Sequence, residues 1–167
     1  PGIQNSVYAT NKDTIPPKVS YFEVLHSQQI DLQFDEPIDT ASLDRSDFTL
    51  SPGIGTPYSL KMNPPYHDIA SLFFAKPLKN NTIYELNTEH FQDFCGNDTS
   101  FQKVFTYHVP LPYEIQINEI MADPEPSAGL PEHEYIELFN ASSYRISLHN
   151  WQISIGSTSR NLGRVNL

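Results

Sequence analysis

Glu119 and Glu137 are the residues whose setting most invites chemistry. Each falls in a run that alternates like a strand: Glu119 would share a face with Ile115, Ile117 and Met121, and Glu137 lies between Tyr135 and Phe139. A carboxyl set against apolar neighbours holds its proton more tightly, and two such groups with separated affinities do general acid and base work. The competing reading has both accepting backbone N–H bonds or facing Arg145. Pairing is the usual fate of such charges, and that reading is adopted.

Oxygen ligands suited to Ca²⁺ gather at two places, Asp93, Asn97 and Asp98 around Gly96, and Asp123, Glu125, Glu132 and Glu134 around a long loop. Neither group matches a defined calcium loop, and Asx residues commonly serve turns through their own side-chain bonds. Calcium is therefore the minority reading at both. His26, His67, His90, His108, His133 and His149 are spread singly, without the spacing that would set two imidazoles beside a third zinc ligand. Cys95 is the one cysteine, which excludes an intrachain disulfide and a cysteine-based metal site. It reads as a small buried residue, with an oxidation-sensitive thiol as the alternative. Trp151, the one tryptophan, is of a type that stacks on sugars or partner side chains when exposed. No phosphate loop, Gly-x-Ser-x-Gly elbow or Cys/His nucleophile pattern occurs, so no catalytic, cofactor-binding or metal residue is assigned.

The net charge of −10, with only 10 Lys+Arg, sets the averaged field against nucleic acid and anionic lipid. Arg160 and Arg164 are the nearest thing to a basic patch and read as a solvated edge. There is neither a signal-like segment nor an apolar run long enough to span a bilayer, so no membrane insertion is expected. The opening Pro1-Gly2 reads as a processed or partial chain. With 38% hydrophobic residues, 12% aromatic and 14 Pro, the composition suits an all-β chain with a core.

These residues need strands and turns to hold them. Residues 1–13 lack periodicity and read as a linker running into Thr14-Ile15-Pro16-Pro17. Two strand-like runs occupy Lys18 to Phe34, and in the second Ile30, Leu32 and Phe34 alternate with Asp31 and Gln33. Further strands are predicted at Phe48–Leu50, Tyr58–Met62, Ser71–Phe74, Ile83–Asn87 and Val104–Val109, a sandwich count. Pro110-Leu111-Pro112 marks a boundary. Beyond it the predicted strands are Glu114–Met121, Glu134–Asn140, Ile146–Leu148, Trp151–Ile155 and Arg164–Leu167.

Within the first stretch, Pro16-Pro17-Lys18-Val19, Ile30-Asp31-Leu32-Gln33-Phe34-Asp35-Glu36-Pro37, Leu78-Lys79-Asn80-Asn81-Thr82-Ile83-Tyr84 and Phe91-Gln92-Asp93-Phe94-Cys95-Gly96-Asn97 occur in that order. The series resembles the bacterial Ig-like domains of surface-layer and other exported proteins, over residues 14–110. Leu78 and Tyr84 would bracket a turn feeding a core strand, and Gly96 would supply a positive φ. In residues 113–167, Ile117-Asn118-Glu119-Ile120, Glu134-Tyr135-Ile136-Glu137-Leu138-Phe139-Asn140 and Leu148-His149-Asn150-Trp151 are similar to lamin-tail domains. Asn150 stands where that family carries glycine and would take the left-handed conformation, and the resemblance implies that Trp151 is buried in the core rather than stacking on a sugar. The resemblance implies an Ig-like β-sandwich followed by an incomplete lamin-tail-like sandwich, as in exported multidomain proteins of Bacteroidetes.

The expected role is a non-enzymatic structural or adhesive segment of a larger protein, secreted or at the outer-membrane surface, with no cofactor. A glycan- or polymer-binding accessory module of an exported enzyme is the alternative. The partner would be a protein or cell surface completing the short second sheet. The loop Ala122 to His133 is the binding candidate there. Asp13-Thr14-Ile15 and Asp39-Thr40-Ala41 resemble Bacteroidetes O-glycosylation acceptors, and Asn80, Asn97 and Asn140 begin N-glycosylation sequons.

Overall fold

The computed structural model describes residues 13–123 and 133–167. The chain divides into two compact units, one formed by residues up to Lys79 with Ile83–Phe105, the other by Asn80–Thr82 with Thr106–Leu167.

The first unit follows the period-two pattern. Strands β1 (Val19–His26), β2 (Gln29–Phe34), β3 (Phe48–Ser51), β4 (Ser59–Met62), β5 (Ile69–Phe73), β6 (Thr82–Gln92) and β7 (Asp98–Tyr107) form two sheets, ordered β1-β2-β5-β4 and β3-β6-β7. This is the arrangement of a seven-stranded Ig sandwich, in which the first, second, fifth and fourth strands face the third, sixth and seventh. A short 3-10 turn, Arg45–Asp47, capped by Asp44, leads into β3.

Alternation determines what enters the core. In β2, Ile30, Leu32 and Phe34 are buried while Gln29, Asp31 and Gln33 point away. Antiparallel β5 places Leu72 opposite Ile30 and Ala70 opposite Leu32. From the other sheet come Phe48 and Leu50 of β3, registered against Thr88 and Leu86 of β6. The Phe34 and Phe91 rings lie 5.0 Å apart, and the Phe22 and Phe105 rings 4.9 Å apart. Burial along β6 falls on Tyr84, Leu86 and Thr88, then skips to Phe91. The skip falls at His90, whose φ of 54° is left-handed, so the face presented to the core is reset by one residue.

Leu78 and Tyr84 are both buried, as their motif implies. The Tyr84 hydroxyl accepts the Lys79 N–H at 2.9 Å, closing the turn over which Asn81 has a φ of 55°. A tyrosine near the start of the sixth strand bonded to backbone just upstream is a known Ig-sandwich feature.

The second unit is two hairpins and a short clasp. Strand β8 (Ile115–Met121) pairs with β9 (Tyr135–Asn140), and β10 (Gln152–Ile155) with β11 (Thr158–Asn161). The expected strands at Ile146–Leu148 and Arg164–Leu167 reduce to one bridge, Ser147 with Asn166, because only three residues on each side face one another. Ile146 and Leu167 nevertheless exchange both backbone bonds, and the Asn140 amide donates to the Leu167 carbonyl at 3.0 Å. Leu167 is therefore tied to Ile146 and Asn140. Strand β11 was not predicted. Its signal is Gly156 (φ 58°) followed by Ser157, a two-residue hairpin connection that sets Ile155 opposite Thr158. Asn150 takes the left-handed conformation expected of it, with φ 65°.

Two substitutions test this account. Leu86→Ala should destabilise the first unit by about 2–5 kcal/mol through cavity formation, and Tyr84→Phe by about 1 kcal/mol through loss of the turn bond. Both are measured as shifts of the urea midpoint followed by far-UV circular dichroism.

Candidate functional site

The strand carrying Glu119 does not keep its alternation. Ile117 faces Leu138 and Glu119 faces Glu137, so one extra residue is accommodated in β8 between those pairs. This bulge returns Ile115, Ile117 and Ile120 to the side of Ile136 and Leu138, and turns Asn118 and Glu119 to the side of Tyr135 and Glu137. The expectation that Glu119 shares a face with Ile115 and Ile117 is corrected.

Both carboxylates are exposed and lie directly across the strands from each other, a repulsive arrangement. Side-chain donors offset it: the Tyr135 hydroxyl donates to Glu119 at 2.6 Å and the Asn118 amide to Glu137 at 2.8 Å. The hydrogen bond to Glu119 holds the Tyr135 phenol proton above its ordinary range, with burial and the two carboxylates adding to it. The expected partners, backbone N–H groups or Arg145, are replaced by these side chains. Met121, Tyr135 and Phe139 share this face, but both carboxylates are open to solvent rather than enclosed by them.

Around Gly96 (φ 82°) the structure gathers something different from the Asp93, Asn97 and Asp98 set. Asp93 is buried, and one oxygen accepts the Cys95 and Asn97 N–H groups at 2.8 and 2.9 Å while the other accepts the Asn97 amide at 2.6 Å. Asp98 instead faces His90 at 3.4 Å. Ligand atoms of Asp13, Asp93 and Cys95 lie within 4.8 Å of one another, yet Asp93 is already committed to its own turn. Burial pushes the Asp93 carboxyl up, and the bonds from the Asn97 backbone and amide, Cys95 and Gly96 outweigh it, leaving it below the usual range. The Asn97 amide also reaches the Asp13 and Ile15 carbonyls, pinning the segment that leads into β1.

Cys95 is exposed, so its expected burial is corrected: its N–H bonds to Asp93 in the turn while its side chain reaches solvent. Trp151 is 38% exposed, also against expectation, because it follows the left-handed Asn150 at the rim of a small unit. Of the second acidic group, Asp123 and Glu134 are exposed, while Glu125 and Glu132 lie outside the described residues, as does 124–132 of the loop. Thr14 and Thr40 are exposed, each flanked by an aspartate that accepts the N–H two residues on, from Ile15 and Ala41, at 3.0 Å. The amide nitrogens of Asn97 and Asn140 are occupied, that of Asn140 by the Tyr144 and Leu167 carbonyls.

One constellation escaped the sequence. His108 Nδ1 lies 2.7 Å from Asn81 Oδ1, and Nε2 lies 2.7 Å from Glu114 Oε2. The Tyr144 ring stacks on the imidazole, centroids 4.1 Å apart and 16° from parallel. The His108 side chain is 3% exposed. The Glu114 carboxyl is held below its usual range by the His108 bond first and the Leu111 N–H second, against burial. Four residues from three connections, before β6, between β7 and β8, and after β9, carry no spacing signal.

Strand order, facing sheets and the bonded Tyr84 define an Ig-type sandwich domain. Residues 12–108 match the bacterial Ig-like domain family, and the chain belongs to it. Among solved structures, the S-layer protein rSbsC(31-844) is 22% identical with a TM-score of 0.52, covering 63% of this chain and 15% of that one. The N-terminal part of the bacterial S-layer protein SbsC is 23% identical with a TM-score of 0.52, covering 63% of this chain and 26% of that one. At such identity the likeness is one of fold. This chain spans less than a third of either protein's length. No curated protein matches the chain. Among the described residues, no helix is long and apolar enough to cross a membrane.

Two measurements check the turn. The exposed Cys95 thiol should react with a maleimide or a disulfide reagent in the folded protein at a rate close to that in denaturant. The Asp93 carboxylate is more acidic folded than unfolded, so its stabilisation is present above the unfolded value near 3.9 and lost as pH falls toward the folded one. Asp93→Asn should therefore lower the urea midpoint at neutral pH and flatten its decline below about pH 4.

Proposed function

We propose that this chain is a non-enzymatic structural or adhesive segment of a larger secreted or cell-surface protein. The Ig-like unit acts as a spacer and the second unit is the contact-making module. The observation that carries the reading is membership of the bacterial Ig-like family over residues 12–108. It is supported by the use to which the polar groups are put: Asp93 organises its own turn, and Glu119 and Glu137 are exposed and bonded to neighbouring side chains. The fold likeness to S-layer segments accords with the same role and with an extracellular location.

The finer reading treats residues 113–167 as lamin-tail-like, following a linker at 1–13 and an Ig-like domain at 14–110, in an exported Bacteroidetes-type protein. Supporting it, the three quoted motifs fall on β8, on β9 and on the left-handed turn at Asn150. The partner we envisage is a protein or cell-surface component adding to the β8–β9 sheet, with no nucleic acid and no cofactor involved. In its favour, that sheet has two strands, and Ile117 and Ile120 are 54% and 59% exposed.

The test is a purified chain assayed against glycosidic, peptide and phosphodiester substrates, expected to give no turnover. Turnover that Glu119→Gln or Glu137→Gln abolishes would refute the reading. In a low-salt mobility shift the chain should leave DNA unretarded.

A further inference from the structure

We propose that His108, Asn81 and Glu114 form a protonation-dependent latch on the chain 106–114, closed while the imidazole carries a proton on both nitrogens. The geometry supplies the reason. Each ring nitrogen lies 2.7 Å from an oxygen, Asn81 Oδ1 on one side and Glu114 Oε2 on the other. A neutral imidazole has one N–H and satisfies one of these acceptors; the imidazolium satisfies both. The ring is shielded from water, 3% exposed, and its face is covered by Tyr144 at 4.1 Å, a favourable neighbour for a cation.

The groups facing the ring come from three places. Asn81, from the turn before β6, presents an uncharged amide; Glu114, from the turn before β8, presents a carboxylate; Tyr144, from the loop after β9, presents a phenol ring. Arg145, next to Tyr144, is exposed.

The latch also organises backbone. The Asn81 N–H donates to the Tyr107 carbonyl at 2.8 Å, the Val109 N–H to Asn80 Oδ1 at 2.7 Å, and the Leu111 N–H to the same Glu114 oxygen that His108 meets, at 2.8 Å. Loss of the Nδ1 proton turns a lone pair toward Asn81 Oδ1, and the 80–82 turn loses its side-chain hold on this stretch. The closed latch binds one proton more than the open one, so rising pH opens it.

Amide hydrogen exchange on the full chain between pH 5 and 8, corrected for intrinsic rates, tests this. Protection at Asn81, Val109 and Leu111 should fall on the order of tenfold as pH rises, while β2 amides such as Leu32 keep theirs. The fall should be absent in His108→Gln and in Asn81→Gly, the second of which keeps the left-handed turn. Nitrogen-15 spectra of the native ring should show both N–H protons wherever those amides are protected. If His108→Gln does not fold, the native spectra and Asn81→Gly decide. A flat native profile, or an Nδ1 unprotonated throughout with the Asn81 amide turned to donate, overturns the proposal.

Discussion

The first unit depends on one constraint: the inward faces of β2 and β5 must meet those of β3 and β6 without a polar residue in the wrong place. Ile30, Leu32 and Phe34 supply one side, Leu50, Leu86 and Phe91 much of the other, all within a few per cent of complete burial. With period-two side chains, a one-residue slip anywhere would expose this set and bury its charged neighbours. The register is therefore protected by hydrophobic burial itself, and along β6 it is reset at His90, where a left-handed residue absorbs the extra position. No disulfide is available to join the sheets, so packing and the Tyr84 bond hold the sandwich.

Its polar side chains serve the connections. Asp93 accepts N–H groups of its own turn, Asp44 caps the short turn before β3, and Tyr84 closes the turn before β6. Asp93 and Asp44 are committed to local backbone, and the bonds they accept there hold their carboxyls below the usual range. The lowered carboxyls of Asp44 and Asp93 each mark a built turn.

The second unit is governed differently. Among its described residues few side chains are fully buried, chiefly Ile146 and Leu148, and it leans on hydrogen-bonded devices: the Ile146–Leu167 clasp, the Asn140 amide bridging Tyr144 and Leu167, and the imidazole between Asn81 and Glu114. With so little apolar burial, individual polar contacts carry a larger share of its order. That is why a single titrating ring has leverage there that it would lack within the sandwich.

Sequence alone determined what is local and periodic. The alternation of β2, the turn chemistry at Gly96 and Asn150, and the Leu78–Tyr84 bracket were legible because each depends on neighbours a few residues away. The placement of Glu119 was not legible, since a bulge carries little signature in residue type and flips the alternation downstream of it. Nor was β11, whose Gly156-Ser157 signal is two residues long, nor the exposure of Cys95 and Trp151, which depends on how much structure closes over them. The meeting of His108, Asn81, Glu114 and Tyr144 was decided by tertiary structure alone. Residues this far apart in the chain are brought together by strand pairing and loop closure, and hydrogen-bond geometry between them leaves no periodic trace in the sequence.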